Sequence, residues 1–235
     1  RFSGDENRSL IELVDLGDYQ TKYRWLPDVT QILDGVPRVS NITKFDRWSP
    51  RMFSFVHPYL MSNGDLIVKD HQSPLARVDQ CGKVLWKQYD DLVHHSTNTD
   101  AEGNLWVGNN FTIGWQASDA LWQGNATKFN PNGKPLSPIT TGFTGGGMQG
   151  GTFGAAIDLK GNVWLSSYGS KSITVFDKNG KPLTPPEGIN FGGRLGLMQG
   201  IITAPNGDMW ALGLSKRQLL HFPKGDWNKG RIVCE

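Results

Sequence analysis

The sequence lacks the features that mark helical, membrane-spanning and nucleic-acid-binding proteins. It has no long stretch with apolar residues at helical spacing, and no apolar run approaches the length of a transmembrane helix. Lys and Arg are scattered, and the formal net charge is only +2, which argues against a nucleic-acid partner. No residues show the spacing of a zinc site, so we expect neither a metal nor a cofactor.

Cysteine and histidine are also scarce, with two and five residues in a chain of 235. Cys81 and Cys234 either form a disulfide or remain as two free thiols, because a count of two is compatible with both. The chain begins at Arg1 and carries no signal peptide. We therefore expect either that a leader has been removed or that the sequence is part of a longer chain.

Glycine and tryptophan are plentiful by contrast, at 29 and 9 residues, and they recur together in a turn unit. The unit is an apolar strand, a turn of Gly with Asn or Asp, and a second apolar strand. Its four copies are residues 62–68, 100–106, 158–164 and 204–210, of which the last three end in Trp. Gly, Asn and Asp tolerate the positive φ that tight hairpins require, so each copy predicts a β-hairpin.

A second turn follows each copy after an alternating strand, so the full repeat is two hairpins, or four strands. The second turns stand at Gly82, Gly133, Gly180 and Gly225. The first turn glycines of successive copies are 39, 58 and 46 residues apart. Four strands in roughly 40 to 50 residues are typical of a propeller blade, so the sequence predicts an all-β, β-propeller fold.

We expect one propeller domain over residues 1–235. A partial blade occupies residues 1–30, and an irregular connector occupies residues 27–52. The four full blades are predicted at about residues 53–92, 93–140, 150–190 and 196–233. Four blades and a half suit a closed ring poorly, so the chain either pairs its termini or belongs to a larger ring, such as one of six blades.

Two glycine-rich links lead into the third and fourth blades, and both contain the tripeptide Met-Gln-Gly, at 148–150 and 198–200. In a propeller, such a link crosses the mouth of the central channel, where crowding leaves little room for a Cβ atom. We therefore predict that Gln149 and Gln199 line the channel mouth.

Histidines begin the inner strands of two blades, namely His57 in the first and the pair His94-His95 in the second. Inner strands converge on the channel, where an imidazole can act as an acid or base, a nucleophile or a metal ligand. The alternative for His57 is packing or capping of the strand start. Only one of His94 and His95 can face a given surface, because neighbouring strand residues point to opposite faces.

Four tripeptides match the acceptor pattern for N-linked glycans. They begin at Asn7, Asn41, Asn110 and Asn125. In a secreted eukaryotic protein, these would be glycan sites on surface loops, and chance occurrence is the alternative.

Residues 10–107 resemble the arylsulfotransferase family. The likeness rests on residues 57–68, 75–86 and 94–107, above all on His-His-Ser at 94–96 followed by Asp-x-x-Gly-Asn-x-Trp at 100–106. The resemblance implies a secreted or periplasmic six-bladed propeller that moves a sulfuryl group between phenols through a histidine. His94 or His95 would bind that group, with His57 as a further channel candidate. The later half contains only His221, so the resemblance places no nucleophile.

Residues 126–233 are instead similar to the propellers of streptogramin lyase and the NHL-repeat proteins, through residues 155–164 and 172–181. This second resemblance implies the fold and no particular activity. Two functions follow for the chain. In the first, it is a secreted or periplasmic glycoprotein propeller that binds a protein partner or assembles with itself. In the second, it is a sulfuryl-transfer enzyme that acts on a small phenolic sulfate through channel histidines.

Overall fold

The computed structural model of the protein describes residues 2–4, 7–36, 49–71, 73–93, 96–109, 124–138 and 141–235. It contains two compact units, Arg1–Val93 and His94–Glu235, which we call the N-terminal and C-terminal units. Regular structure is almost entirely antiparallel β-sheet, which confirms the predicted all-β class. None of the helices in the described ranges is long and apolar enough to cross a membrane. A single domain over residues 1–235 stays a prediction.

Two hairpins and one four-stranded blade form the N-terminal unit. The hairpins pair β1 (Phe2–Ser3) with β2 (Arg8–Ser9) and β3 (Ile11–Val14) with β4 (Thr21–Trp25). The first blade contains, in spatial order, β5 (Tyr59–Leu60), β6 (Leu66–Val68), β7 (Ser73–Val78) and β8 (Val84–Val93).

The connector predicted as irregular over residues 27–52 contains a short helix, α1 (Val29–Leu33). Asp28 caps it by accepting a hydrogen bond from the backbone N–H of Gln31 at 3.2 Å. Val29 and Ile32 are buried and pack with Trp25 against the first blade. The helix therefore covers apolar residues of the blade, and five residues were too few to show a helical period in the sequence.

Three further blades form the C-terminal unit. The second blade has the order β9 (Thr97–Thr99), β10 (Leu105–Asn109), β11 (Asn125–Phe129). The third has β12 (Thr152–Ile157), β13 (Val163–Ser167), β14 (Ser172–Phe176). The fourth has β15 (Met198–Thr203), β16 (Met209–Gly213), β17 (Gln218–Phe222), β18 (Arg231–Cys234).

The fourth strand predicted for the second and third blades is reduced to isolated bridges in the described residues. The bridges are Phe129 to Pro135, Ala126 to Phe143, Phe176 to Pro182 and Ile173 to Ile189. Proline has no backbone N–H, so it interrupts a continuous ladder. Side chains replace some of the lost bonds: the hydroxyls of Ser137 and Thr184 accept from the backbone N–H groups of Lys128 and Val175, at 3.0 and 3.3 Å.

The third blade is buried on both faces. Every residue of β13 is buried, with Val163 and Leu165 in one apolar cluster and Trp164 in another. The first cluster joins the third blade to Trp106 of the second blade. The second cluster joins it to Phe222 of the fourth blade, whose ring centroid lies 5.1 Å from that of Trp164. The blades of this unit therefore stack face to face through apolar side chains.

Gly180 offers a test of this stacking, because it lies in the turn after β14 with a φ of 83°. A Cβ atom placed on it would overlap the ring of Phe143, in the outer segment of the second blade. We expect Gly180→Ala to lower the free energy of unfolding by about 1 kcal/mol through backbone strain, and by about 1–3 kcal/mol more through overpacking. Urea unfolding of wild type and variant measures the loss.

Gly161→Ala is the matched control for this substitution. Gly161 has the same φ of 83°, and among the described residues no atom beyond its own two chain neighbours lies within 4 Å of the Cβ position. The control therefore introduces the strain without the overlap. Equal losses of stability in the two variants would contradict the packing of Phe143 on this turn.

Candidate functional site

The histidines predicted for the channel are described only in part. His94 and His95 lie outside the described residues, so their role stays a prediction. His57 is exposed, and its φ of 48° lies in the left-handed region that residues other than glycine seldom adopt. Strained backbone of this kind clusters at functional sites, so His57 remains a candidate residue.

Gln149 and Gln199 are both exposed, and the methionine before each of them is buried. The backbone of each glutamine is held in place, since Gln149 O accepts from the Ser170 N–H at 3.1 Å and Gln199 O accepts from Ser166 Oγ at 2.7 Å. The two Met-Gln-Gly segments therefore present their glutamine side chains to solvent in the same way. That these side chains line a channel stays a prediction.

The four glycosylation candidates differ in whether the structure describes them and in their exposure. Asn7 is exposed, whereas Asn41 and Asn110 lie outside the described residues. The structure corrects the prediction of a glycan at Asn125. Its side chain is buried within β11 and accepts a hydrogen bond from Asn109 Nδ2 at 2.9 Å, so the folded protein has no room for a glycan there.

The cysteines predicted as a disulfide or two thiols are both free and exposed in the structure. Cys81 lies in the turn before β8, and Cys234 ends β18. A disulfide between them stays a prediction.

The turn carboxylates bind their own turns and the strand that follows. Asp100 and Asp158 each accept two backbone N–H groups of their turn, and each also accepts the indole N–H of Trp106 or Trp164, at 3.3 and 3.0 Å. These bonds fix the tryptophans that pack between blades. The carboxylates are therefore structural.

A basic residue on the neighbouring strand pairs with the turn carboxylate in three blades. The pairs are Arg77–Asp65 at 2.6 Å, Lys128–Asp100 at 3.0 Å and His221–Asp208 at 2.9 Å. Burial by itself would raise the pKa of Asp100, but hydrogen bonds from Lys128, Asn104 and Trp106 lower it below its ordinary value. The three pairs tie each turn to the neighbouring strand and so serve the fold.

A second group of ionisable residues, which we call the basic cluster, consists of His57, Lys69 and His71 beside the end of β6. Lys69 is only 1% exposed. Its Nζ donates to the carbonyl oxygen of Val56 at 3.2 Å, and its own carbonyl oxygen accepts from the Val56 N–H at 2.9 Å. These two bonds hold the backbone of Val56 immediately before His57.

His57 is affected by the charges of the other two members of the basic cluster. Burial lowers the pKa of His57, and the charges of Lys69 and His71 lower it further. Burial also lowers the pKa of Lys69 to about 7, although the charge of Asp70 opposes the shift. Because the Lys69 amine is buried and bonded to Val56, the shift bears on the stability of the fold.

The fourth blade carries the second candidate surface. Alternate residues of β16 point to opposite sides, so Met209 and Ala211 are buried against the third blade while Trp210 and Leu212 point away from it. We call this other side the outer face; it consists of Ile202, Trp210, Leu212, Leu219 and His221. It borders a groove of about 550 Å³ with an almost wholly apolar lining. Ile202 is 63% exposed and Leu212 is 55% exposed.

A polar group closes one end of the outer face. His221 stacks on Trp210 with ring centroids 4.3 Å apart, and its Nε2 lies 2.9 Å from Asp208 Oδ2. Arg231 Nη2 lies 3.4 Å from His221 Nδ1. A guanidinium only donates, so Nδ1 accepts from Arg231 and Nε2 carries the proton that is donated to Asp208. His221 thus lies between a carboxylate and a guanidinium, with its ring stacked on Trp210.

Comparison with known proteins identifies the fold. No family model matches the chain, and no curated protein matches it. Among solved structures, the β-propeller domain of Cps50 (Swd1) from Myceliophteria thermophila aligns over 88% of this chain and 62% of its own, at 14% identity and a TM-score of 0.54. Streptogramin B lyase aligns over 76% of this chain and 53% of its own, at 13% identity and a TM-score of 0.53. The chain is a β-propeller.

A third propeller-like match is the extracellular domain of a hybrid two-component system from B. thetaiotaomicron. It aligns over 77% of this chain and 23% of its own, at 13% identity and a TM-score of 0.54. The chain therefore spans less than two thirds of the length of each of these three structures. The predicted likeness to streptogramin lyase is confirmed as a likeness of fold, whereas the arylsulfotransferase resemblance receives no support.

Sequence reasoning found His57 but missed Lys69 and the outer face. A lysine directly after the apolar run 66–68 was a signal that the side chain follows a buried strand. The outer face had no such signal, because Trp210 repeats the pattern of tryptophans that are buried elsewhere. The buried Trp106 and Trp164 made the exposure of the equivalent face unexpected.

Lys69 predicts a specific pH dependence of stability. Its pKa is about 7 in the folded protein, against an ordinary value of 10.5, so between these values the unfolded chain holds a proton that the folded chain has lost. Stability from this group therefore rises with pH across that window and is lowest below pH 7. We expect Lys69→Met to be more stable than wild type near pH 6.5, with an advantage that shrinks by pH 9.5.

Urea unfolding at about pH 6.5 and about pH 9.5 measures both proteins, since a pKa difference of one unit corresponds to about 1.4 kcal/mol. Lys83→Met is the matched control, because it removes an exposed lysine of the same unit. A difference between wild type and Lys69→Met that is the same at both pH values would contradict the assignment.

Proposed function

We propose that this β-propeller is a binding and assembly module, and that it docks a second copy of itself on the outer face of its fourth blade. The proposal rests on the surface itself, because likeness at 13–14% identity indicates a fold and no activity. Contiguous exposed apolar residues bordered by polar ones are typical of protein interaction sites. The outer face has exposed apolar residues, and Asp208 and Arg231 border it with polar groups.

The main support for the proposal is the similarity between equivalent positions of the third and fourth blades. At three of its five positions, the outer face of the fourth blade repeats the face with which the third blade packs on the fourth. The equivalent residues are Ala156 and Ile202, Trp164 and Trp210, and Ile173 and Leu219. At the other two positions, Leu212 and His221 replace a serine and a valine of the third blade. The three residues of the third blade are buried in an apolar cluster. The same chemistry on the fourth blade therefore favours another β-sheet as the occupant.

The polar border favours a second copy as the source of that sheet. Asp208 and Arg231 flank His221 with opposite charges. A twofold axis near His221 would bring each carboxylate opposite a guanidinium of the other copy. Opposite charges of the two copies would then pair, and the exposed apolar side chains of both copies would be removed from water.

We also propose a location outside the cytoplasm, as the sequence predicts. One of the similar structures is named an extracellular domain, and Asn7 in an acceptor tripeptide is exposed. Both observations support the proposal without bearing on the docking surface.

Sedimentation equilibrium over a range of protein concentrations tests the docking. We expect wild type to form a dimer that dissociates on dilution. Ile202→Asp and Leu212→Asp each place a charge in the centre of the outer face, and a charge that loses water without a partner is costly. Each substitution should weaken the dimer by at least about tenfold, which corresponds to about 1.4 kcal/mol.

Leu16→Asp is the matched control, since Leu16 is 82% exposed and lies in the turn between β3 and β4. It should leave the dimer unchanged. A wild-type protein that remains monomeric at every concentration would overturn docking of a second copy, and the sheet of another partner would be the next occupant to test. A control variant that dissociates as readily as the outer-face variants would also overturn it.

A further inference from the structure

One row of side chains crosses the fourth blade, with one residue from each of its four strands. Its members are direct cross-strand neighbours, in the order Ile202, Trp210, His221 and Arg231. Opposite side chains of antiparallel strands point to the same side of the sheet, so the whole row belongs to the outer face and its border. Arg231 ends the row as an exposed cation, and His221 lies between that cation and the apolar residues.

Both ring nitrogens of His221 have partners. Nε2 lies 2.9 Å from Asp208 Oδ2, and Nδ1 lies 3.4 Å from Arg231 Nη2. Because a guanidinium only donates, the contact with Arg231 is a hydrogen bond only while Nδ1 carries no proton. A second proton on the ring would place two donors and two positive charges against each other.

The charge of the polar border therefore depends on His221. Hydrogen bonds from the Lys224 N–H and from His221 lower the pKa of Asp208 to about 2, so this carboxylate stays ionised far below neutral pH. Asp208 and Arg231 balance each other while the ring holds one proton, and a second proton leaves the border positive. The other charged residues of the segments that follow β17 also have partners; they are Lys224, Asp226, Lys229 and Glu235.

We propose that protonation of His221 separates the two copies that dock through the outer face, so that self-association weakens below neutral pH. The inference rests on the proposed docking of a second copy. With a twofold axis near His221, the charge gained by one copy faces the same charge on the other, and the repulsion is strong where docking has removed water. The second ring proton also repels Arg231, the group that would pair with the carboxylate of the other copy.

Sedimentation equilibrium of the whole chain at about pH 7.5 and about pH 5.5 tests the proposal, since histidine is the side chain that ordinarily changes charge in this range. The docked form binds fewer protons than the free form, so acid favours dissociation. We expect the dissociation constant of the wild-type dimer to rise at least about tenfold at the lower pH. His221→Gln keeps a donor and an acceptor but takes up no proton, so its dissociation constant should be the same at both pH values.

His71→Gln is the matched control, because it removes an exposed histidine of the N-terminal unit. It should keep the pH dependence of the wild-type dimer, including any part that comes from the stability of the fold. A His221→Gln dimer that weakens in acid as much as wild type would overturn the proposal.

Nuclear magnetic resonance of the His221 ring gives a second readout that needs no dimer. The ring resonances are assigned through the contact with the Trp210 ring, whose centroid lies 4.3 Å away, and they are followed with pH in the monomeric variant Leu212→Asp. We expect them to shift as the ring takes up its second proton between about pH 7.5 and about pH 5.5. A ring that takes up no proton in this range would overturn the proposal, even if His221→Gln failed to fold.

Loss of the docking and loss of its pH dependence give different results. A wild-type protein that is monomeric at both pH values would overturn the docking of a second copy and this inference with it. A wild-type dimer with the same dissociation constant at both pH values would overturn this inference and leave the docking in place.

Discussion

Face-to-face packing of apolar sheets is the constraint on which the C-terminal unit depends. A blade whose strands are apolar on both sides has two faces to remove from water, and each needs another sheet against it. The third blade meets this requirement, with β13 buried throughout. The fourth blade meets it on one side only. The proposed docking surface follows from this difference and from no special motif.

Hydrogen bonds in the turns hold the packing side chains in fixed positions. In the second and third blades, a carboxylate accepts two backbone N–H groups of its own turn and the indole N–H of the packing tryptophan. In the first and fourth blades, the turn carboxylate accepts from the side-chain amide of an asparagine in its own turn. The position of the carboxylate varies: Asp100 and Asp158 stand three residues before the turn glycine, whereas Asp65 and Asp208 directly follow it. An asparagine occupies the complementary position and bonds to the same carboxylate in each case. Both arrangements supply hydrogen-bond partners for the polar groups of a tight turn.

The two candidate sites rest on different physics. The outer face offers apolar area with a balanced polar border, so its expected ligand is another sheet. In the basic cluster, burial lowers the pKa of Lys69 to about 7, which makes stability depend on pH. Neither property follows from the propeller fold, which hosts unrelated functions on the same scaffold.

The sequence by itself determined the repeat: glycine turns with Asn or Asp, alternating strands and regularly placed tryptophans predict blades, because these are local properties of the chain. It did not determine the reduced fourth strands, although Pro135 and Pro182 explain them once the pairing is known. Nor did it distinguish Trp164 from Trp210, since similar local patterns differ in burial through what packs on them. Tertiary structure alone decided that Asn125 and Lys69 are buried and that Ile202 faces solvent. Burial and electrostatic environment depend on contacts between segments far apart in the chain, and local sequence patterns carry no record of those contacts.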